Sequence, residues 1–248
     1  MNRHRVFLAG AAGAIGRRLA PLLLGAGYEV FGTTRSKEKA GALEAQGVVP
    51  VVVDAFDARG LANEMTAVRP ATVIHQLTDL PPGLDPSRLA EALARNARIR
   101  SEGTRNLVAA ALAAGARRLV AQSIAWAYAP GPRPYAEDAP LDLGTEGTRA
   151  VTVQGVATLE GLVLGSPPLE GVVLRYGQLY GPGTGRDAPA GDAPLHVDAA
   201  ARAALLAIGR ARPGVFNLAE DSGFVSIARA RRELGWDPAF RLERGQAA

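Results

Sequence analysis

Eight residues, Ala9-Gly10-Ala11-Ala12-Gly13-Ala14-Ile15-Gly16, carry the clearest chemistry in this 248-residue chain. They follow an apolar run, Arg5–Ala9, and open a helical pattern that reaches about Gly25. Gly10 permits a tight turn, Gly13 lets backbone approach a ligand, and Gly16 lets a helix pack closely on a strand. Amides at a helix start point outward, where the positive end of the helix dipole favours anions. Ala12, Ala14 and Ile15, with the three glycines, are therefore expected to cradle a dinucleotide diphosphate. Close packing of small residues is the structural alternative. A strand before, a helix after and a second strand at ordinary spacing favour the dinucleotide.

The end of the second strand bears on which dinucleotide. An acid there would accept from a ribose 2′-hydroxyl and repel a 2′-phosphate. The chain reads Thr33-Thr34-Arg35-Ser36-Lys37, with Lys39 beyond. Arg35 can contact a phosphate and stack on adenine, and Ser36 can donate a hydrogen bond, so NADP(H) is expected over NAD(H). A solvated loop arginine is the other reading. Asp54, after the third strand, is placed either to accept from the adenine amino group or to cap a following helix.

At the far end of such a cofactor the chain is poorer. Lys37 and Lys39 are its only lysines, and cysteine is absent. Thiolate metal sites and cysteine nucleophiles are excluded, and three scattered histidines (His4, His75, His196) do not suggest a metal site. The formal charge of +4 comes from arginines spread along helices, and aromatics are 5% of residues, so nucleic-acid binding is not expected. The apolar stretch Val6–Ile15 is studded with glycine, unlike an export segment. No apolar run approaches the roughly 20 residues of a membrane span, and a soluble, cytoplasmic chain is expected.

Strands are expected at Arg5–Ala9, Glu29–Thr33, Val48–Val53, Thr72–Leu77 and Arg118–Gln122. Helices are expected from about Gly13 to Gly25, over Lys37–Gln46, and from about Ser87 to Ala114. This alternation implies parallel strands with right-handed crossovers, a doubly wound α/β sheet of Rossmann type in a single domain. Residues 1–165 would form the dinucleotide-binding core, and residues 166–248 the remaining strands and a small substrate cap. Pro130–Thr145 and Pro182–Pro194 read as loops.

With these residues in hand, the chain resembles the extended short-chain dehydrogenase/reductase superfamily, the NAD(P)-dependent epimerase/dehydratase group. The glycine spacing, Asp54, Val73-Ile74-His75-Gln76-Leu77 and Gly103-Thr104-Arg105-Asn106-Leu107 carry the resemblance. So do Ser123 to Tyr128, Leu174-Arg175-Tyr176-Gly177, Tyr180-Gly181-Pro182, His196-Val197-Asp198, Phe216-Asn217-Leu218 and Leu234-Gly235-Trp236. It implies cofactor contacts from Asp54-Ala55, from Leu77-Thr78, and from Tyr176 and Gln178 beside the nicotinamide. It also implies a catalytic Ser/Thr, a Tyr, and a Lys four residues after the Tyr. Here Ile124, Thr152 and Val156 stand at those three positions.

Three readings stay open at this point. Hydride transfer, carbonyl/alcohol redox on a small or medium organic substrate, could persist with Ser123, Tyr128 or Thr152 as non-standard proton donors. The fold could serve a non-redox isomerisation or cyclisation. Or the chain could bind NADP(H) as a sensor or partner protein without turnover. The family's substrate lobe is reduced to Gly183–Leu195, which disfavours nucleotide sugars. His196 matches a structural segment more than a general base. A homodimer through the Ser87–Ala114 and Val151–Leu164 helices is plausible, since the latter is more apolar than one buried stripe requires.

Overall fold

The first strand, β1 (Arg5–Ala9), shows how the architecture arises. Its four buried residues alternate between two cores: Val6 and Leu8 join one apolar cluster, Phe7 and Ala9 the other. A strand covered on both faces in this way belongs inside a parallel sheet. The structure, a computed structural model, describes residues 4–80 and 89–243. Beside β1 lie β2 (Glu29–Thr34), β3 (Val49–Val52), β4 (Thr72–His75), β5 (Arg118–Ile124), β6 (Glu170–Tyr176) and β9 (Gly214–Leu218). These seven strands run parallel in the order β3-β2-β1-β4-β5-β6-β9. A separate parallel pair, β7 (Gln178–Tyr180) with β8 (Pro194–His196), stands at the end of β6.

Helices α1 (Ala14–Gly25), α2 (Lys37–Ala45) and α7 (Val197–Gly209) supply one covering layer. Helices α3 (Ala58–Val68), α5 (Thr104–Ala113) and α6 (Gly147–Leu164) supply the other. The doubly wound sheet of the sequence reading is therefore the observed fold. Strand order reverses between β1 and β4, and in open α/β sheets that switch point opens a crevice at the carboxyl ends of the strands.

Four local differences have physical causes. Helix α3 is not among the expected helices; Asp57 caps it by accepting from the Gly60 amide, and Leu61, Met65 and Val68 bury its inner stripe. Asp54 is thus not that helix's cap, and its carboxylate instead accepts from the Phe56 amide at 2.9 Å. Strand β4 stops at His75, whose Nδ1 accepts from the Leu77 amide two residues on. The single helix expected to end at Ala114 is α4 (Leu89–Arg98), a π-helical turn at Ile99–Gly103, and α5; its expected start at Ser87 lies outside the described residues. The buried Arg100 of that turn donates to the Thr152 carbonyl of α6 at 3.4 Å. On α6, Val153, Val156, Leu159 and Val163 are buried within the chain, while Val151 and Leu164 stay exposed. No described helix is long and apolar enough to cross a membrane.

Candidate functional site

β1 ends because Gly10 takes φ +89°, turning the chain across the top of β4. A side chain at Gly10 would begin 2.7 Å from the Gln76 carbonyl oxygen, so only glycine passes there. The turn is held by the Gly10 amide donating to Thr33 Oγ1 and the Gly13 amide to Gly10 O. Gly16 lies beneath it, where a Cβ would be 2.2 Å from Gly10 O. At Gly13 a Cβ would meet only Gly10 O, at 3.3 Å, and otherwise open space. No side chain caps α1, and its first turn contains no acid. Its leading amides therefore keep their unneutralised partial positive charge.

These residues floor a crevice of about 1500 Å³. Gly10, Ala12, Gly13 and Ala14 line it at the switch point, Arg35, Ser36 and Lys39 at the end of β2, and Asp54 and Ala55 after β3. Leu77 and Thr78 line it after β4, and Gln178 on β7. Ile15 and Gly16 are buried beneath it, within α1. Ser36 Oγ also accepts from the Lys39 amide as the cap of α2. Arg35 and Lys39 have no ion-pair partner among the described residues, and no carboxylate from the end of β2 reaches the crevice. Gln76 lines it as well, and its Oε1 is a buried acceptor without a partner among the described residues. A glycine floor, uncapped amides and two cations at the adenosine end fit an NAD(P) dinucleotide.

The proposed proton donors are elsewhere. Ser123 Oγ donates to Glu160 at 2.7 Å, and Glu160 pairs with Arg175 at 2.6 Å. Arg175 donates to the Tyr128 hydroxyl, which donates to Asn217 Oδ1 at 2.6 Å. All five side chains of this chain of bonds belong to residues 5% exposed or less. Burial pushes the Tyr128 phenol up, against the pull of Arg175. Burial opposes the Arg175 charge, but Glu160 and Tyr128 together more than offset it and hold the guanidinium protonated. Tyr176 is buried behind the crevice; its oxygen accepts from Gln76 Nε2, and burial pushes its phenol well up. Thr152 Oγ1 donates to the Thr148 carbonyl one turn back. None of these four hydroxyls lines the crevice.

Carbon stands at two of the three positions where the resemblance implies catalytic groups, Ile124 and Val156. Ile124, Ala127, Val153 and Val156 form one buried cluster, on which Trp126 and Leu141 pack. Trp126 also lines the crevice, and its backbone is strapped by Arg149, which donates to the carbonyls of Trp126 and Tyr128. His196 accepts from the Asp198 amide and caps α7, its ring edge-on to Tyr180, with burial lowering its pKa. Among the described residues no cluster of acids and histidines could hold a metal. Residues the sequence reading passed over, Thr33, Gln76, Trp126 and Arg186, come to the crevice through the ends of β2, β4, β5 and β7. The signal for the first three was their place at a strand's carboxyl end.

A family model described as NAD(P)H-binding matches residues 10–151. The chain belongs to the NAD(P)H-binding family. A curated relative from a Streptomyces species, named 3-diazoavenalumate denitrifying reductase, is 46% identical over 245 residues, spanning 88% of this chain and 76% of the relative. Among solved structures, the UDP-glucose 4-epimerase of Thermotoga maritima with UDP-glucose superposes with TM-score 0.75 at 19% identity, covering 98% of this chain and 96% of that one. The Thermus thermophilus UDP-glucose 4-epimerase in complex with NAD gives 0.73 at 21% identity, with the same coverage. Membership of the NAD(P)H-binding family and the fold shared with these epimerase structures agree with the crevice geometry.

Proposed function

We propose that this chain is an NADP(H)-dependent reductase acting on a small or medium organic acceptor that needs no proton from the protein, an arenediazonium cation foremost. One observation carries the reading: two of the three positions of the family's proton-transfer group, Ile124 and Val156, are apolar, and the hydroxyls of Thr152 at the third and of Ser123 and Tyr128 are already bonded to protein. Reduction of a carbonyl to an alcohol takes up a hydride and a proton. When bound, the reduced cofactor supplies a hydride, and an arenediazonium cation that gains one and loses dinitrogen becomes an arene with no net proton consumed. The name of the Streptomyces relative points to the same chemistry. In this reading the α1 amides and the three glycines hold the diphosphate, Arg35 and Lys39 the 2′-phosphate, and Asp54 the adenine. Leu77, Thr78 and Gln178 flank the nicotinamide, and Trp126 walls the acceptor. Ser123, Tyr128 and Thr152 carry no proton; they shape the backbone behind the site.

The test is proton stoichiometry. In weakly buffered solution with a pH indicator, NADPH oxidation by benzenediazonium, above the rate without protein, should consume no proton per cofactor and release one dinitrogen. One proton consumed per NADPH with aldehydes or ketones, and no reaction with diazonium, would establish carbonyl reduction instead. NADPH binding with no oxidation by either class would return the chain to the non-redox or sensor readings.

A further inference from the structure

The loop in place of a substrate lobe has a geometry of its own. After β7, the chain turns between Gly181 and Arg186, with the Gly181 amide donating to Arg186 O at 2.7 Å. Thr184 braces the turn, its hydroxyl donating to Gly181 O at 2.8 Å and accepting from the Arg186 amide at 3.2 Å. Gly181, Gly183 and Gly185 all take positive φ, so the turn is built from residues that hold it without strain. It is seated on the phosphate cradle: a side chain at Gly183 would begin 3.8 Å from Ala14 Cα, the first residue of α1. At the far end of the loop the Ala193 amide donates to Gln178 Oε1, closing it back onto β7.

Arg186 lines the crevice from this turn. Its guanidinium makes no hydrogen bond or ion pair among the described residues. The other arginines lining the crevice near Ala14 are engaged, Arg18 with Asp198 at 2.6 Å and Arg17 with the Ala12 carbonyl at 2.9 Å. The loop's acids do not neutralise Arg186: Asp192 pairs with Arg133, and Asp187 does not line the crevice. The turn that carries Arg186 thus meets the uncapped end of α1 through Gly183, and Arg186 opens on the crevice that those amides line.

We propose that Arg186 is a second grip on the cofactor diphosphate, supplied by the Gly181–Arg186 turn. This rests on the reading that the crevice binds NADP(H). Amides of α1 hold the diphosphate by hydrogen bonds and the dipole; Arg186 adds a forked, charge-assisted contact from the loop. With little lobe to cover the site, that contact retains the cofactor between turnovers.

The experiment is a pair of fluorescence titrations on the full chain, with NADPH and with adenosine 2′-monophosphate, which has no diphosphate. Arg186→Gln should weaken NADPH by roughly tenfold or more, the scale of one charged hydrogen bond, and leave adenosine 2′-monophosphate unchanged. Arg35→Ala should weaken both probes, and Arg186→Lys should recover part of the loss. NADPH affinity within twofold of wild type in Arg186→Gln, or a loss confined to the acceptor KM, overturns the proposal. Failure of the unaltered protein to bind NADPH overturns the cofactor reading itself, and the proposal with it.

Discussion

Alanine substitutions at Gly13 and Gly16 should separate binding from folding. Gly13 has φ −79° and ψ 175°, which alanine adopts readily, and an added Cβ meets only Gly10 O at 3.3 Å. Gly13→Ala should therefore cost about 1 kcal/mol or less in stability, the loss of a modest cap preference, and lower Tm by roughly 2–4 °C. The new methyl, however, projects into the crevice where backbone would approach phosphate. Displacing a diphosphate from even one or two amides removes charged hydrogen bonds worth about 1.5–3 kcal/mol each, so NADPH binding should weaken at least tenfold. Gly16→Ala should do the reverse in order. Its Cβ would lie 2.2 Å from Gly10 O and 2.6 Å from Ala11 O, both backbone atoms that cannot rotate away. Overpacking of this kind costs about 1–3 kcal/mol or more before any ligand is considered. Parallel thermal melts and NADPH fluorescence titrations read the two effects apart. A Gly13→Ala protein that melts normally and binds NADPH as tightly as wild type would refute the cradle, whatever the fold.

Replacing Arg35 and Lys39 by alanine should erase selectivity for NADPH over NADH; equal affinity of the unaltered protein for both removes the NADP assignment. Tyr128→Phe and Thr152→Val should leave turnover with a diazonium acceptor within a few-fold of wild type once melts confirm folding, and a hundredfold loss of kcat in either would restore a proton-donor role. Trp126→Ala should raise KM for aromatic acceptors more than for aliphatic ones, and equal effects would take the indole out of acceptor binding. Glu160→Gln leaves the buried Arg175 charge without its partner and should cost about 3–5 kcal/mol, seen as a Tm fall of roughly 10 °C with NADPH affinity little changed in the folded protein. His75 is lowered to about 4 by burial and then by Arg100, so the unfolded chain takes up a proton near pH 6.5 that the folded chain refuses. Its contribution is present above pH 6.5 and lost as pH falls toward 4, roughly 3 kcal/mol in all, and a His75→Gln protein should show a flatter melt-versus-pH curve over that window.

The glycine cradle and the sheet were legible because they depend on short-range rules: Gly10 needs a positive φ, and runs such as Val73-Ile74 have no polar face to give to water. The π-helical turn at Ile99–Gly103 was not legible, since it goes with a buried Arg100 reaching a carbonyl about fifty residues away. Helix α3 was legible in principle, from Asp57 and the spacing of Leu61, Met65 and Val68. The hydroxyls are the instructive case. Ser123 lies near the end of β5, one residue from the position the resemblance marks as catalytic, and periodicity alone cannot say which face its side chain takes. Register decides it: Ser123 is paired with Arg175 on β6, and both side chains reach Glu160 on α6. A missing lysine can be read from composition, but its consequence cannot. Had Val156 been replaced by a polar side chain from another element, a relocated acid would be the natural inference. Because Ile124, Ala127, Val153 and Val156 instead close on one another as packed carbon, and Thr152 turns its hydroxyl back onto the Thr148 carbonyl, that wall offers the crevice no proton donor.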